Sequence, residues 1–202
     1  MTLRGLFLTL EGGEGAGKST QARLLAEALC RRGIPVLRTR EPGGAPGSEI
    51  LRGMLLQPPV DWSRQAEIFL HFAARAEHVE RTIRPALAAG MWVVSDRFID
   101  STRAYQGYGQ GGDQTMITAL AAQIGLIPDV TFVLNVSETT ALARLASRGG
   151  TADRYEAENA AFHRRVRDGF RAIAAAEPGR CRLIPAEGTI ADVHEKIMMH
   201  LP

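Results

Sequence analysis

Lysine is nearly missing from this chain of 202 residues: of its 24 basic residues only Lys18 and Lys196 are lysine. Neither follows an asparagine, so the guanine-reading pattern N-K-x-D is absent and a GTPase switch is excluded. Cysteine is just as scarce. Cys30 and Cys181 are too few for a disulfide framework and lack metal-ligand spacing, so both read as small buried apolar residues. Excess charge is lacking too. A formal net charge of +2 creates no broad field for nucleic acid or a membrane surface. The apolar run near the start spans only about six residues, too short for a signal-peptide core or a membrane span, so a cytoplasmic protein is expected. No internal repeat or low-complexity segment is present.

What remains is an ordinary globular composition, 45% hydrophobic and 23% charged, in a length suited to one domain over residues 1–202. Short apolar runs at 5–10, 34–38, 92–95, 130–136 and 181–184 read as strands. Helical spacing fills 18–32, 48–56, 114–124, 138–147, 157–176 and 190–200. A longer helix over 63–89 carries Ile68, Phe72, Ala76, Val79, Ile83 and Leu87 on one stripe, with Pro85 expected to kink it near its end. Strands alternating with helices predict an α/β fold, a parallel sheet covered on both faces. The charged stretch 147–156 (SRGGTADRYE), with its paired glycines, reads as a flexible insert.

The first strand runs into Gly12-Gly13-Glu14-Gly15-Ala16-Gly17-Lys18-Ser19, which fits G-x-x-x-x-G-K-[ST] and opens a helix. Glycines there let backbone N–H groups curl around a phosphate, and the helix N-terminus adds positive potential. Lys18 is placed to bridge β- and γ-phosphates, and the Ser19 hydroxyl to ligate Mg²⁺. Residues 12–20, through Thr20, are therefore the expected ATP phosphate site.

The strand at 92–95 ends in Asp96-Arg97. An acid there suits the Mg²⁺ shell, and the neighbouring arginine points to a second substrate bearing a phosphate. Arg144, Arg148 and Arg154 in and before the insert are candidates to close over the transferring group. No general base is apparent. A phosphate monoester needs none, since it is mostly dianionic at neutral pH. The residues alone thus leave open a nucleotide kinase, a small-metabolite kinase or a nucleotide-binding module.

Over nearly its whole length the chain resembles the thymidylate kinases. The resemblance rests on EGGEGAGKST at 11–20, TREPGG at 39–44, FAAR at 72–75, SDRFIDSTRAYQGYG at 95–109, PD at 128–129 and DRYE at 153–156. It implies the P-loop kinase fold, a five-stranded parallel sheet with an arginine-rich lid near 147–156, usually as a homodimer. The stripe on the long helix fits that dimer and core packing equally. The implied reaction passes the γ-phosphoryl group of ATP, with Mg²⁺, to dTMP. By motif, Arg97 and Arg52 would hold the dTMP phosphate, Glu14 the sugar 3′-hydroxyl, and Arg75, Thr102 and Gln106 the thymine edge, with Ser101 beside them. Tyr105 would occupy the place of a ribose 2′-hydroxyl. His71 stands where the family commonly has the aromatic that stacks on the base, and Phe72 follows it. An acidic loop residue with lid arginines resembles the bacterial type, making Arg148 and Arg154 catalytic candidates beside Lys18 and Arg97. Arg144 and the backbone of 186–189 would border adenine.

Overall fold

A computed structural model describes residues 4–57, 60–148 and 154–202, with the Arg148 side chain outside the described set. Five strands, β1 (Phe7–Glu11), β2 (Val36–Arg40), β3 (Trp92–Asp96), β4 (Val130–Asn135) and β5 (Cys181–Pro185), form one parallel sheet in the order β2-β3-β1-β4-β5. Central β1 is buried at every residue, as a strand covered on both faces must be. Its side chains alternate between two cores. Phe7 packs with Val93, Ile68, Ile83 and Phe98, whereas Leu8 and Leu10 join Leu25, Phe132, Ile184 and Ile197. The register sets Leu10 opposite Asp96, so the phosphate loop and Asp96-Arg97 leave the sheet side by side.

The helices are α1 (Lys18–Arg31), α2 (Pro46–Leu56), α3 (Arg64–His78), α4 (Arg84–Ala88), α5 (Ile99–Thr102), α6 (Gln114–Ile124), α7 (Glu138–Arg148), α8 (Ala160–Ala176) and α9 (Ile190–Met198). Local chemistry sets several of their ends. Ser63, Asp113 and Asn159 cap α3, α6 and α8 through side-chain oxygens, and Thr189 with Asp192 forms a capping box on α9. Because of its Asn159 cap, α8 begins three residues later than the apolar spacing predicts.

The long helix departs from expectation at Pro85. Between α3 and α4 the chain makes a π-helical turn over Val79–Ile83, with the Arg84 N–H reaching the Val79 carbonyl. Proline lacks a donor and crowds the carbonyl four residues back, so the bonding ahead of it widens by one residue. The stripe is buried in this chain's own core except for Ala76, which is exposed, while Arg75 turns inward beside it. A second π-helical segment, Arg103–Gly109, was not apparent in the glycine-bearing AYQGYG. Its Gly109 is a packing residue, for a Cβ there would meet Phe162 of α8 at 2.7 Å. Cys181 is buried as expected, but Cys30 is exposed on the outer face of α1. Of the expected insert, 147–148 end α7, 154–157 form a turn, and 149–153 lie outside the described residues.

Candidate active site

The strand ends open into a cleft of about 500 Å³, lined from one side by residues 14–21 and from the other by Arg52, His71, Arg75, Thr102 and Gln106. The loop's path depends on glycine at Gly15, whose φ is +71° and where a Cβ would sit 2.4 Å from the Ala141 carbonyl of α7. Gly17, also left-handed, leads into α1. Lys18 is buried and donates to the carbonyls of Gly12 (3.0 Å) and Gly13 (2.8 Å). Burial and the Arg97 charge lower its pKa, opposed by Glu14, Asp96 and Glu11. Gly12 and Gly13 themselves lie behind the loop, against β4 and Arg167.

Ser19 and Asp96 meet where β3 faces α1, the serine hydroxyl donating to an Asp96 carboxylate oxygen. Next to them Arg97 has φ 72°, the sole positive value outside glycine among the described residues. Such a conformation costs roughly 1–3 kcal/mol and persists only where the surroundings fix it. Here the Arg97 N–H donates to Leu10 O (2.9 Å), Ser95 Oγ donates to the Arg97 carbonyl (2.8 Å), and the next N–H, of Phe98, donates to Glu11 Oε1 (2.8 Å). Glu11 also accepts from the Ser101 N–H (3.2 Å) and Ser101 Oγ (2.6 Å). Burial, with Asp100 nearby, pushes the Glu11 carboxyl up to about 8, against the pull of Ser101, Arg97 and Phe98.

The Arg97 guanidinium lies 2.5 Å from Glu14 Oε1 and 3.3 Å from Ser101 Oγ. Tyr105 also donates to Glu14 Oε1, at 2.8 Å. Burial raises the Glu14 pKa, but Arg97 and Lys18 outweigh it and hold the carboxyl at about 2. Glu14 is therefore a carboxylate at neutral pH. Arg52 donates to Pro42 O at 2.6 Å, and Arg144 to the Ala186 and Gly188 carbonyls at 2.9 and 3.3 Å.

Arg75 is fixed on nearly every side. Its Nε meets Glu41 Oε2 at 2.8 Å, and its Nη2 donates to Phe98 O (3.0 Å) and Thr102 Oγ1 (3.1 Å). His78 holds the other Glu41 oxygen at 3.0 Å. Arg75 Nη1 is buried without a partner among the described residues. The structure brings His71 and not Phe72 to the cleft wall. Phe72 packs in the core, under the Arg75 guanidinium. Arg154, expected over the phosphates, instead pairs with buried Glu67 at 2.8 Å, away from the cleft lining. An acid so deeply buried calls for a cation, and Arg154 supplies it. Sequence reasoning missed Glu11, Glu41, Glu67, His78 and Tyr155, although Glu11, Glu41 and Tyr155 lay inside the recognised motifs.

A phosphate loop on the central strand, an acid and arginine on the next strand, and a second walled pocket define a P-loop kinase with separate donor and acceptor halves. Residues 10–197 match the family model described as thymidylate kinase. The thymidylate kinase of Gluconobacter oxydans is 54% identical over 193 residues, covering 94% of this chain and 90% of that protein. That of Rhizorhabdus wittichii is 50% identical over 198 residues, 96% of this chain and 95% of the relative. The crystal structure of thymidylate kinase from Ehrlichia chaffeensis superposes with a TM-score of 0.79 at 36% identity, covering 98% of this chain and 99% of its own. The chain belongs to the thymidylate kinase family.

Proposed function

We propose that the protein transfers the γ-phosphoryl group of ATP to dTMP, giving dTDP and ADP on the way to dTTP. One observation carries the choice of acceptor: Arg75 Nη1, a buried donor at the cleft wall with no partner among the described residues. Leaving a charged donor unpaired in a protein interior is costly, and a pyrimidine 4-keto oxygen would satisfy it.

The remaining roles are those implied by the family motifs, and the geometry supports them. The backbone of Glu14, Gly15, Ala16, Gly17, Lys18, Ser19 and Thr20 cradles the ATP phosphates, Gly12 and Gly13 stand behind it as the carbonyls that hold Lys18, and Lys18 exchanges those carbonyls for phosphate oxygens. Arg144 and the 186–189 backbone border adenine. Arg97, braced by Ser101, and Arg52 hold the acceptor phosphate, while the Glu14 carboxylate accepts from the sugar 3′-hydroxyl. His71 stacks on the base, Arg75, Thr102 and Gln106 read its edge, and Tyr105 fills the place of a 2′-hydroxyl. Phe72 contributes from behind, through Arg75. Arg148 is the lid arginine assigned to the transferring group; Arg154 could join it only after leaving Glu67.

The Ser19 hydroxyl and Asp96 carboxylate are hard oxygen donors within hydrogen-bonding reach of each other, which suits Mg²⁺ shared with phosphate oxygens and water. Bound there, the ion would neutralise charge on the β- and γ-phosphates. An acceptor phosphate oxygen forms a bond to the γ-phosphorus as the bond to the β–γ bridging oxygen breaks, and ADP leaves with that electron pair. The acceptor attacks as its dianion, so no residue is asked to remove a proton.

Among the described residues no helix is long and apolar enough to cross a membrane. The working state is taken to be a cytoplasmic homodimer that needs no nucleic-acid or membrane partner, and sedimentation tests the dimer. The acceptor is tested by incubating the protein with MgATP and each common nucleoside monophosphate and separating products by chromatography. dTDP is expected from dTMP. Product from a different monophosphate with none from dTMP would refute the assignment.

A further inference from the structure

The base end of the cleft contains a hydrogen-bond network that the phosphoryl chemistry does not use. Glu67, buried on α3, accepts at Oε1 from Gln106 Nε2 (2.9 Å), Gln110 Nε2 (2.8 Å) and the Tyr155 hydroxyl (2.9 Å). Its Oε2 faces Arg154 Nη1 at 2.8 Å. Every one of these partners is a donor, as an ionised carboxylate requires. The Tyr155 oxygen receives Gln106 Nε2 at 3.1 Å and lies 2.9 Å from His71 Nε2. Its single proton goes to Glu67, so His71 Nε2 carries the hydrogen in that contact.

This arrangement decides which way round the Gln106 amide sits. The amide nitrogen faces the Glu67 carboxylate oxygen and the Tyr155 oxygen together, and these two are themselves hydrogen-bonded, so the N–H side of the amide is held on that pair. Turning the amide over would put its oxygen against the Glu67 carboxylate and exchange attraction for repulsion. Gln106 Oε1 accepts no hydrogen bond among the described residues, and Gln106 lines the cleft, as does Arg75 with its unpaired Nη1. The walls therefore offer one acceptor and one donor. A 4-keto, 3-imide pyrimidine presents the complement, a donor at N3 and an acceptor at O4. A 4-amino pyrimidine presents the reverse at both positions.

We propose that Glu67 and Tyr155 are specificity-determining positioning residues, which lock the Gln106 amide so that the acceptor pocket selects keto over amino pyrimidine monophosphates. The inference rests on the reading of dTMP as acceptor. Glu67 acts through Gln106 in this scheme, and Tyr155, a cleft-wall residue that also meets His71, acts through Gln106 and His71.

The test measures kcat and KM with dTMP and with dCMP, at saturating MgATP, for the wild type, Glu67→Gln and Tyr155→Phe. In Glu67→Gln the partner of Gln106 no longer demands a donor, and the dTMP-to-dCMP ratio of kcat/KM should fall roughly tenfold or more. The loss should lie in KM for dTMP, with KM for ATP unchanged. Tyr155→Phe keeps the ring and removes one of the two bonds, so a fall of about threefold is expected. A merely structural role would lower the melting temperature and slow both acceptors alike. An unchanged ratio in folded Glu67→Gln would overturn the proposal. If that variant does not fold, an unchanged ratio in Tyr155→Phe overturns it instead. Failure of the wild type to use dTMP would show earlier, and would remove the acceptor reading itself.

Discussion

The two halves of the cleft are built in different ways. The donor half is mostly backbone: a glycine-bearing loop at the end of β1, the start of α1, and one lysine resting on loop carbonyls. The acceptor half is mostly side chain. Arg75, Arg97 and Gln106 come from three separate segments, and an acid stands against each, namely buried Glu41, partly buried Glu14 and buried Glu67. Backbone shaped by glycine needs little support from neighbours. A long side chain aimed at a base must be held, and in a dry interior a carboxylate is the strongest holder of arginine or amide donors.

Breaking the acceptor half should cost the most. Glu41→Gln leaves Arg75 buried without its charged partner, and about 3–5 kcal/mol of stability should be lost in urea denaturation, with KM for dTMP raised. Lys18→Ala attacks the donor half. It should lower kcat by about 10²–10³-fold while far-UV circular dichroism remains native. An equal loss of stability in the two variants would erase the distinction between the halves.

A smaller effect sharpens it through pH. Burial, with Arg75, Arg97 and Arg154 nearby, lowers His71 to about 3 from an ordinary value of 6.5. At about pH 7.5 the residue is neutral both folded and unfolded. As the pH falls through about 6.5 the unfolded chain takes up a proton that the folded chain refuses, so stability is lost on acidification. Roughly 2 kcal/mol should disappear by about pH 5, and urea midpoints of His71→Gln should lack that part of the decline. The smallest effect concerns the base itself. The methyl that separates dTMP from dUMP is worth about 0.8 kcal/mol, so kcat/KM should favour dTMP by about fourfold.

How far each half could be read from sequence follows from this construction. The phosphate loop is contiguous, and its spacing reflects its geometry directly, so Gly12 to Thr20 could be marked before any fold was known. All five strands were legible as apolar runs, although β1 and β2 each end one or two residues later than those runs. The supports of the acceptor half were not legible as supports. Glu67 is one of two acids in α3, and its partners Gln106 and Tyr155 lie 39 and 88 residues away in sequence. Nothing local separates such an acid from a solvated one. His71 and Phe72 are adjacent on α3, and the packing of that helix alone decides which of them reaches the cleft. The π-helical segment at Arg103–Gly109 has no local signature in sequence, because its glycines are explained only by distant packing: Gly107 makes room for Gln114 of α6 and Gly109 for Phe162 of α8.

Calorimetric titration of wild type and Glu41→Gln with dTMP, and separately with ATP, tests this division most directly. The variant should lose affinity for dTMP by tenfold or more while its affinity for ATP stays within about twofold. Equal losses for both nucleotides, or no loss for dTMP, would contradict it.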